Sequence, residues 1–252
     1  MVLNAKIVGL VDKGIVCEKN DDRLLVDKTI IDSGVYSTVL STPFHCAVCD
    51  GVGGESRGDE AAEFVLRQLI NEEVNNIDSD AKMSCVLSQI NNKLLDYQKK
   101  EQSDGMKTTI VGLGIYEDKV IIYNAGDSRL YRLRNDNFVQ LSENHSVAQE
   151  MIMMGLITDN IEEELMKCSR ITRCLGTKTS AIPYVKQINM HALKDDMYLL
   201  CSDGLWGAVV NDDITRILKS EKSLEEKVQL LFEMAENNGS CDNISIAIIE
   251  IE

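Results

Sequence analysis

The 252-residue sequence predicts an α+β fold, with mainly antiparallel sheets covered by helices. Three observations carry that prediction. Apolar stretches of strand length recur at 5–11, 44–49, 108–116, 119–124, 128–134, 184–190, 197–201 and 244–250. Two long helical patterns stand together between strands, an order that argues against a doubly wound parallel sheet. Short connections follow several strands: "EDK" at 117–119 and the turn near Gly126 both read as hairpins.

Taken in order, "FHCAVC" at 44–49 reads as a buried strand. Its Cys46 and Cys49 have odd spacing, which sends them to opposite faces, so neither a shared metal nor a disulfide fits. The helix over 57–74 carries apolar residues at 61, 62, 65, 69 and 70, with Ser56 and Asp59 placed to cap its start. The helix over 82–99 repeats the pattern at 83, 86, 87, 90, 94 and 97. Shorter helices are expected over 146–154 and after Asn211, and a fifth over 224–237. The run Met-Ile-Met-Met at 151–154 is expected to pack into the core.

Two prolines, no repeat and no low-complexity linker predict one domain over 1–252. Hydrophobic residues at 44% and charged residues at 27% are ordinary for a globular chain. The net charge of −15 argues against nucleic acid or an anionic membrane as partner. No stretch approaches the ~18 apolar residues of a spanning helix, and the first residues lack a secretory pattern. Eight cysteines then read as reduced thiols, and a cytoplasmic location is expected.

The chemistry lies in aspartates. Asp21 and Asp22 sit in "KNDD", Asp50 ends a strand before Gly51, and Asp127 lies in "NAGDSR". Asp203 ends another strand in "LLCSDGLW", and Asp242 begins the last one in "SCDNISIAII". Singly, each is an ordinary turn or cap residue. Together they crowd acids at one edge of a core, where like charges need protons or cations between them. An all-oxygen set suits magnesium, manganese or calcium and disfavours zinc. Two such ions can activate a water and clamp a phosphoryl oxygen. Glycines after Asp50 would let a metal approach a backbone carbonyl.

Eight segments fall in one family's order: "DKGIVCEKNDD", "AVCDGVGGESRGDEAA", "GMKTTIVGLGI", "VIIYNAGDSRLYRLR", "LSENHSVAQEMIMMGLIT", "ITRCLGT", "LLCSDGLWGAV" and "GSCDNISIAII". On these, the chain resembles the metal-dependent protein phosphatases of the 2C family in their compact bacterial form. The resemblance implies a four-layer α/β/β/α sandwich, two antiparallel sheets flanked by helices. It implies two Mn²⁺ or Mg²⁺ ions bridged by Asp50, with the Gly51 carbonyl, Asp22, Asp203 and Asp242 completing the set. Asp21 would act through water, and Asp127 would help hold a third ion. The implied activity is hydrolysis of phosphoserine and phosphothreonine by metal-activated water without a phosphoenzyme, with Asp50, Asp22 and Asp203 as catalytic residues. The implied partners are proteins phosphorylated by a serine/threonine kinase, and a monomer is expected. Residues 141–177 would include a mobile flap. In it, His145 is a candidate general acid, although a helix-start role ahead of Ser146 is favoured.

Two departures stand out. The family's phosphate-gripping Arg is replaced by Cys17 in "GIVC", which predicts weaker substrate binding. Lys13, Arg170 or Arg173 are candidates to compensate. Glu55 replaces a common His, with no role assigned. The alternative is a pseudophosphatase that binds phosphoproteins without turnover, but retention of every metal carboxylate favours catalysis. A purely structural or cation-buffering domain would explain the acids but not the eight ordered segments.

Overall fold

Apolar runs flanked by turn residues form the strands of two sheets in the computed structural model, which describes residues 2–52, 57–73, 76–77, 79–103, 105–156, 170–178, 183–188 and 191–252. The strands are β1 (Asn4–Asp12), β2 (Arg23–Val26), β3 (Thr29–Ile31), β4 (Gly34–Ser41), β5 (Phe44–Cys49), β6 (Gly51–Val52) and β7 (Lys107–Thr108). They continue as β8 (Ile110–Ile115), β9 (Val120–Ala125), β10 (Arg129–Arg134), β11 (Asn137–Gln140), β12 (Tyr184–Ile188), β13 (Met197–Cys201) and β14 (Ile244–Ile251). The helices are α1 (Gly58–Asn71), α2 (Asp80–Glu101), α3 (Val147–Met153), α4 (Asp203–Trp206), α5 (Asn211–Leu218) and α6 (Leu224–Asn237).

One six-stranded sheet runs β11-β10-β13-β14-β1-β4 and the other β12-β9-β8-β5-β2-β3, with β6 and β7 paired separately. The pairings in both sheets are antiparallel. Three apolar clusters separate four layers. Ile7, Val48, Leu113, Leu200 and Ile249 fill the space between the sheets. Leu66, Leu69, Leu87 and Ile90 seal α1 and α2 onto one sheet, and Leu205, Ile214, Val228 and Leu231 seal α4, α5 and α6 onto the other. Each fully buried aliphatic side chain of this kind contributes about 1.5–3 kcal/mol. The four-layer sandwich is therefore as expected. So are Cys46 and Cys49, which fall on opposite faces of β5, one between the sheets and one against the helices.

Several local expectations need correction. The turn at Gly126 is not a hairpin: β9 belongs to one sheet and β10 to the other. Gly126 (φ 125°) carries the chain across, and a side chain there would run into Thr109. The strand expected over 108–116 breaks at Thr109, where β7 leaves to pair with β6. Strands β2, β3, β4 and β11 are additions; their short or half-exposed sequences gave a weak apolar signal. Asp59 does not cap α1. The N-cap is Arg57 in a left-handed conformation without a side-chain cap, and Asp59 lies in the first turn. Methionines 151, 153 and 154 are exposed, because α3 is a short surface helix that buries Ala148 alone among its described side chains. Ser56, Glu55 and strand positions 189–190 lie outside the described residues. None of the described helices is long and apolar enough to cross a membrane.

Candidate active site

Separate chain segments bring carboxylates to one end of the sandwich. β5 ends one residue before Asp50, and β13 ends two residues before Asp203, the first residue of α4. Asp242 precedes β14, Asp127 follows the crossing at Gly126, and Asp21 and Asp22 lead into β2. Asp21, Asp50, Asp127, Asp203 and Asp242 all line a cleft of about 540 Å³, as do Gly51 and Cys17. Asp22 lies beneath it, buried, its Oδ2 accepting the Ser202 hydroxyl at 2.7 Å.

The backbone under these acids is fixed by residues that sequence reasoning missed. The Asp50 N–H donates to Thr109 Oγ1 at 3.1 Å, and its carbonyl accepts from Thr109 N–H at 2.8 Å and Thr108 Oγ1 at 2.9 Å. Gly51 donates to the Asp21 carbonyl at 3.2 Å. A side chain on Gly51 would come 2.4 Å from the carbonyl carbon of Gly58, so this glycine is needed for close packing on α1. Asn243 accepts the Asp21 N–H at 2.8 Å and donates to the Lys13 and Lys19 carbonyls, each at 2.9 Å. It thereby pins the acidic loop to the start of β14. The only sequence signals for these roles were adjacency: Asn243 follows Asp242, and Ser202 precedes Asp203.

Electrostatics separate this cluster from ordinary surface acid. Burial pushes Asp50 and Asp203 well above the usual carboxylate range, and each is pushed further by neighbouring aspartates, among them Asp22, Asp127 and Asp242. Burial raises Asp22 to about 7 and Asp127 to about 6. Burial, then Asp59, raises Asp21. Asp21 Oδ1 and Asp203 Oδ1 are buried with no hydrogen-bond partner among the described residues. Such groups demand a proton or a cation. Among the described residues, no three His, Cys, Asp or Glu side chains stand close enough to hold an ion as arranged. The acids instead wall an open cleft, which suits hard ions that keep several waters and take few protein ligands.

Residues 32–245 match the family model for protein phosphatase 2C. The chain belongs to the protein phosphatase 2C family. This protein phosphatase is 30% identical over 260 residues to the serine/threonine phosphatase stp of Listeria innocua, a match that covers 95% of this chain and 93% of the relative. Its fold is similar to the crystal structure of the Mycobacterium tuberculosis serine/threonine phosphatase PstP/Ppp, with a TM-score of 0.83, 25% identity and coverage of 99% and 100% of the two chains. A PstP catalytic domain in complex with two manganese ions shares the fold at a TM-score of 0.81 and 23% identity, over 100% of this chain and 99% of that one.

In this phosphatase the Cys17 thiol donates to the Cys241 carbonyl at 3.4 Å, and burial, then Asp242, raises its pKa. The candidates to compensate for the missing guanidinium lie elsewhere. Lys13 donates to the Cys17 carbonyl at 3.4 Å, Arg173 Nη1 lies 3.3 Å from His145 Nε2, and the Arg170 carbonyl accepts from Val147. None of the three lines the cleft.

His145 is absent from the cleft wall too. Its ring Nδ1 accepts the Gly126 N–H at 3.2 Å while its backbone N–H donates to the Gly126 carbonyl at 3.0 Å. Burial, then Arg173, lowers its pKa to about 4, so the ring is neutral at pH 7 and braces the turn that presents Asp127. Of the expected flap, residues 157–169 lie outside the described residues, and Ile171 reaches the cleft.

Proposed function

We propose that this phosphatase hydrolyses phosphoserine and phosphothreonine in protein substrates at the acidic cleft, with two divalent cations, Mn²⁺ or Mg²⁺. The observation that carries the reading is the convergence of aspartates from separate segments on one cleft, with buried carboxylate oxygens that have no partner among the described residues. The names of its relatives support the substrate class, and the two manganese ions of PstP support the cofactor. Asp50, Asp22, Asp203, Asp242 and the Gly51 carbonyl would hold the ions. Asp21 would act through water, and Asp127 would help hold a third, weaker ion.

Bound cations would supply a Lewis acid for the phosphoryl oxygens and a water of lowered pKa. The chain's own residues supply rigidity and charge. Thr108 and Thr109 fix the Asp50 backbone, Ser202 orients Asp22, and Asn243 holds Asp21 against the start of β14. Asp22 must shed its proton near pH 7 to act as a ligand, so metal loading strengthens as pH rises. The described cysteines are free, which supports a reducing compartment such as the cytoplasm. The substrates would be products of a serine/threonine kinase, and the chain would act as a monomer.

Phosphate release from a phosphothreonine peptide tests this reading. Metal-stripped protein should be inactive and should recover turnover as Mn²⁺ or Mg²⁺ is restored. Metal binding without turnover would favour the pseudophosphatase alternative.

A further inference from the structure

Five aspartates line this cleft, more negative charge than two divalent cations would balance, so a phosphate dianion entering it still gains from positive charge on the protein side. Among the described residues lining the cleft, one is cationic: Lys19. We propose that Lys19 is the protein's own substrate-binding cation, contacting the phosphate or phosphate-flanking oxygens of a phosphoprotein at the mouth of the cleft. The inference rests on the phosphatase reading above.

Position and tethering support the assignment. The loop of Lys19 is pinned by its own carbonyl to Asn243, two residues before Asp21. Its side chain is 66% exposed, and its Nζ is held 3.4 Å from Asp59 Oδ1, in the first turn of α1. The carboxylate gives the ammonium a resting place at the rim. A single exposed ion pair of this kind is weak, so an arriving phosphate can compete for the lysine. The other nearby cations, Arg23 and Lys13, do not line the cleft. Arg23 is largely buried, donates to the Asn20 and Asp22 carbonyls at 2.9 and 2.7 Å, and faces Asp59 and Glu63. Lys13 donates to the Cys17 carbonyl. Cys17, on the same wall, offers a thiol with no charge to contribute. Lys19 therefore takes on the charge complementarity that a guanidinium at position 17 would otherwise supply, with one mobile ammonium in place of a planar fork.

The test is steady-state hydrolysis of a phosphothreonine peptide by the Mn²⁺-loaded protein, at low and high salt, for Lys19→Met, Lys19→Arg and Cys17→Arg/Lys19→Met. Lys19→Met should raise KM about five- to tenfold with kcat within about twofold, and high salt should erase the difference. Lys19→Arg should restore KM, and Cys17→Arg should rescue Lys19→Met. Equilibrium binding of the same peptide to Asp203→Asn and to Asp203→Asn/Lys19→Met gives a readout without turnover and should show the same loss. An unchanged KM and affinity in Lys19→Met, or a KM change insensitive to salt and unrescued by Arg, would overturn the proposal. Failure of the wild-type protein itself to release phosphate would overturn the phosphatase reading instead.

Discussion

The two ends of β13 handle buried aspartate in opposite ways. Asp196, just before the strand, is 1% exposed and receives a bidentate grip from Arg134, with both N–H···O contacts at 2.6 Å. The Leu193 N–H adds a third donor at 2.8 Å. Asp203, two residues after the strand, is pushed up by burial and then by other aspartates, and its Oδ1 has no hydrogen-bond partner among the described residues. Five residues of strand separate a charge neutralised within the fold from one left for something outside it. A buried acid with its own cation is architecture, whereas a buried acid among acids is a site.

Substitutions at the two ends should break different properties. Asp203→Asn should reduce phosphopeptide turnover on the order of a thousandfold or more, read as kcat with Mn²⁺, because it removes a charge from the cation-binding set. Its melting temperature without metal should not fall. Asp196→Ala should do the reverse. Leaving Arg134 without its partner should cost about 3–5 kcal/mol in denaturant unfolding, with kcat per folded molecule retained. Loss of activity without loss of stability at Asp196 would undo the contrast.

Smaller effects sharpen it. Cys17→Arg should lower KM for a phosphothreonine peptide by roughly tenfold, the scale of a charge-assisted hydrogen bond, and leave kcat in place. His145→Ala should cost about 1–3 kcal/mol by leaving the Gly126 N–H unpaired. The slope of activity against pH should stay the same in this variant, since the ring is already neutral. A shifted pH profile would mark His145 as an acid after all.

Legibility in the sequence followed signal strength. Long amphipathic helices such as α2 and buried strands such as β5 and β14 were readable, because burial imposes periodicity or continuous apolarity. β4 was not, since its edge position leaves five of its eight residues exposed. The Gly126 crossing was misread because one glycine at positive φ serves a hairpin and a sheet change equally well. The acids were legible as a set, but their supports were not. Ser202, Thr109 and Asn243 are polar residues of no special pattern, and only the fold brings them under the carboxylates. Lys19 was overlooked for the same reason, as one lysine in a loop.

The most direct test of the central claim is a calorimetric titration of Mn²⁺ into metal-free protein at pH 5.5 and pH 7.5, in buffers of differing ionisation enthalpy. Carboxylates raised to about 7 at Asp22 and about 6 at Asp127 hold protons at the lower pH. Because these pKa values are raised, the stability they lend the metal-free fold is fully present only below about pH 4 and is lost as pH rises through 6 to 7. A cation offsets that loss where it is greatest. The account predicts affinity at least about tenfold weaker at pH 5.5, with protons released on binding. Equal affinity at both pH values with no proton release would contradict it.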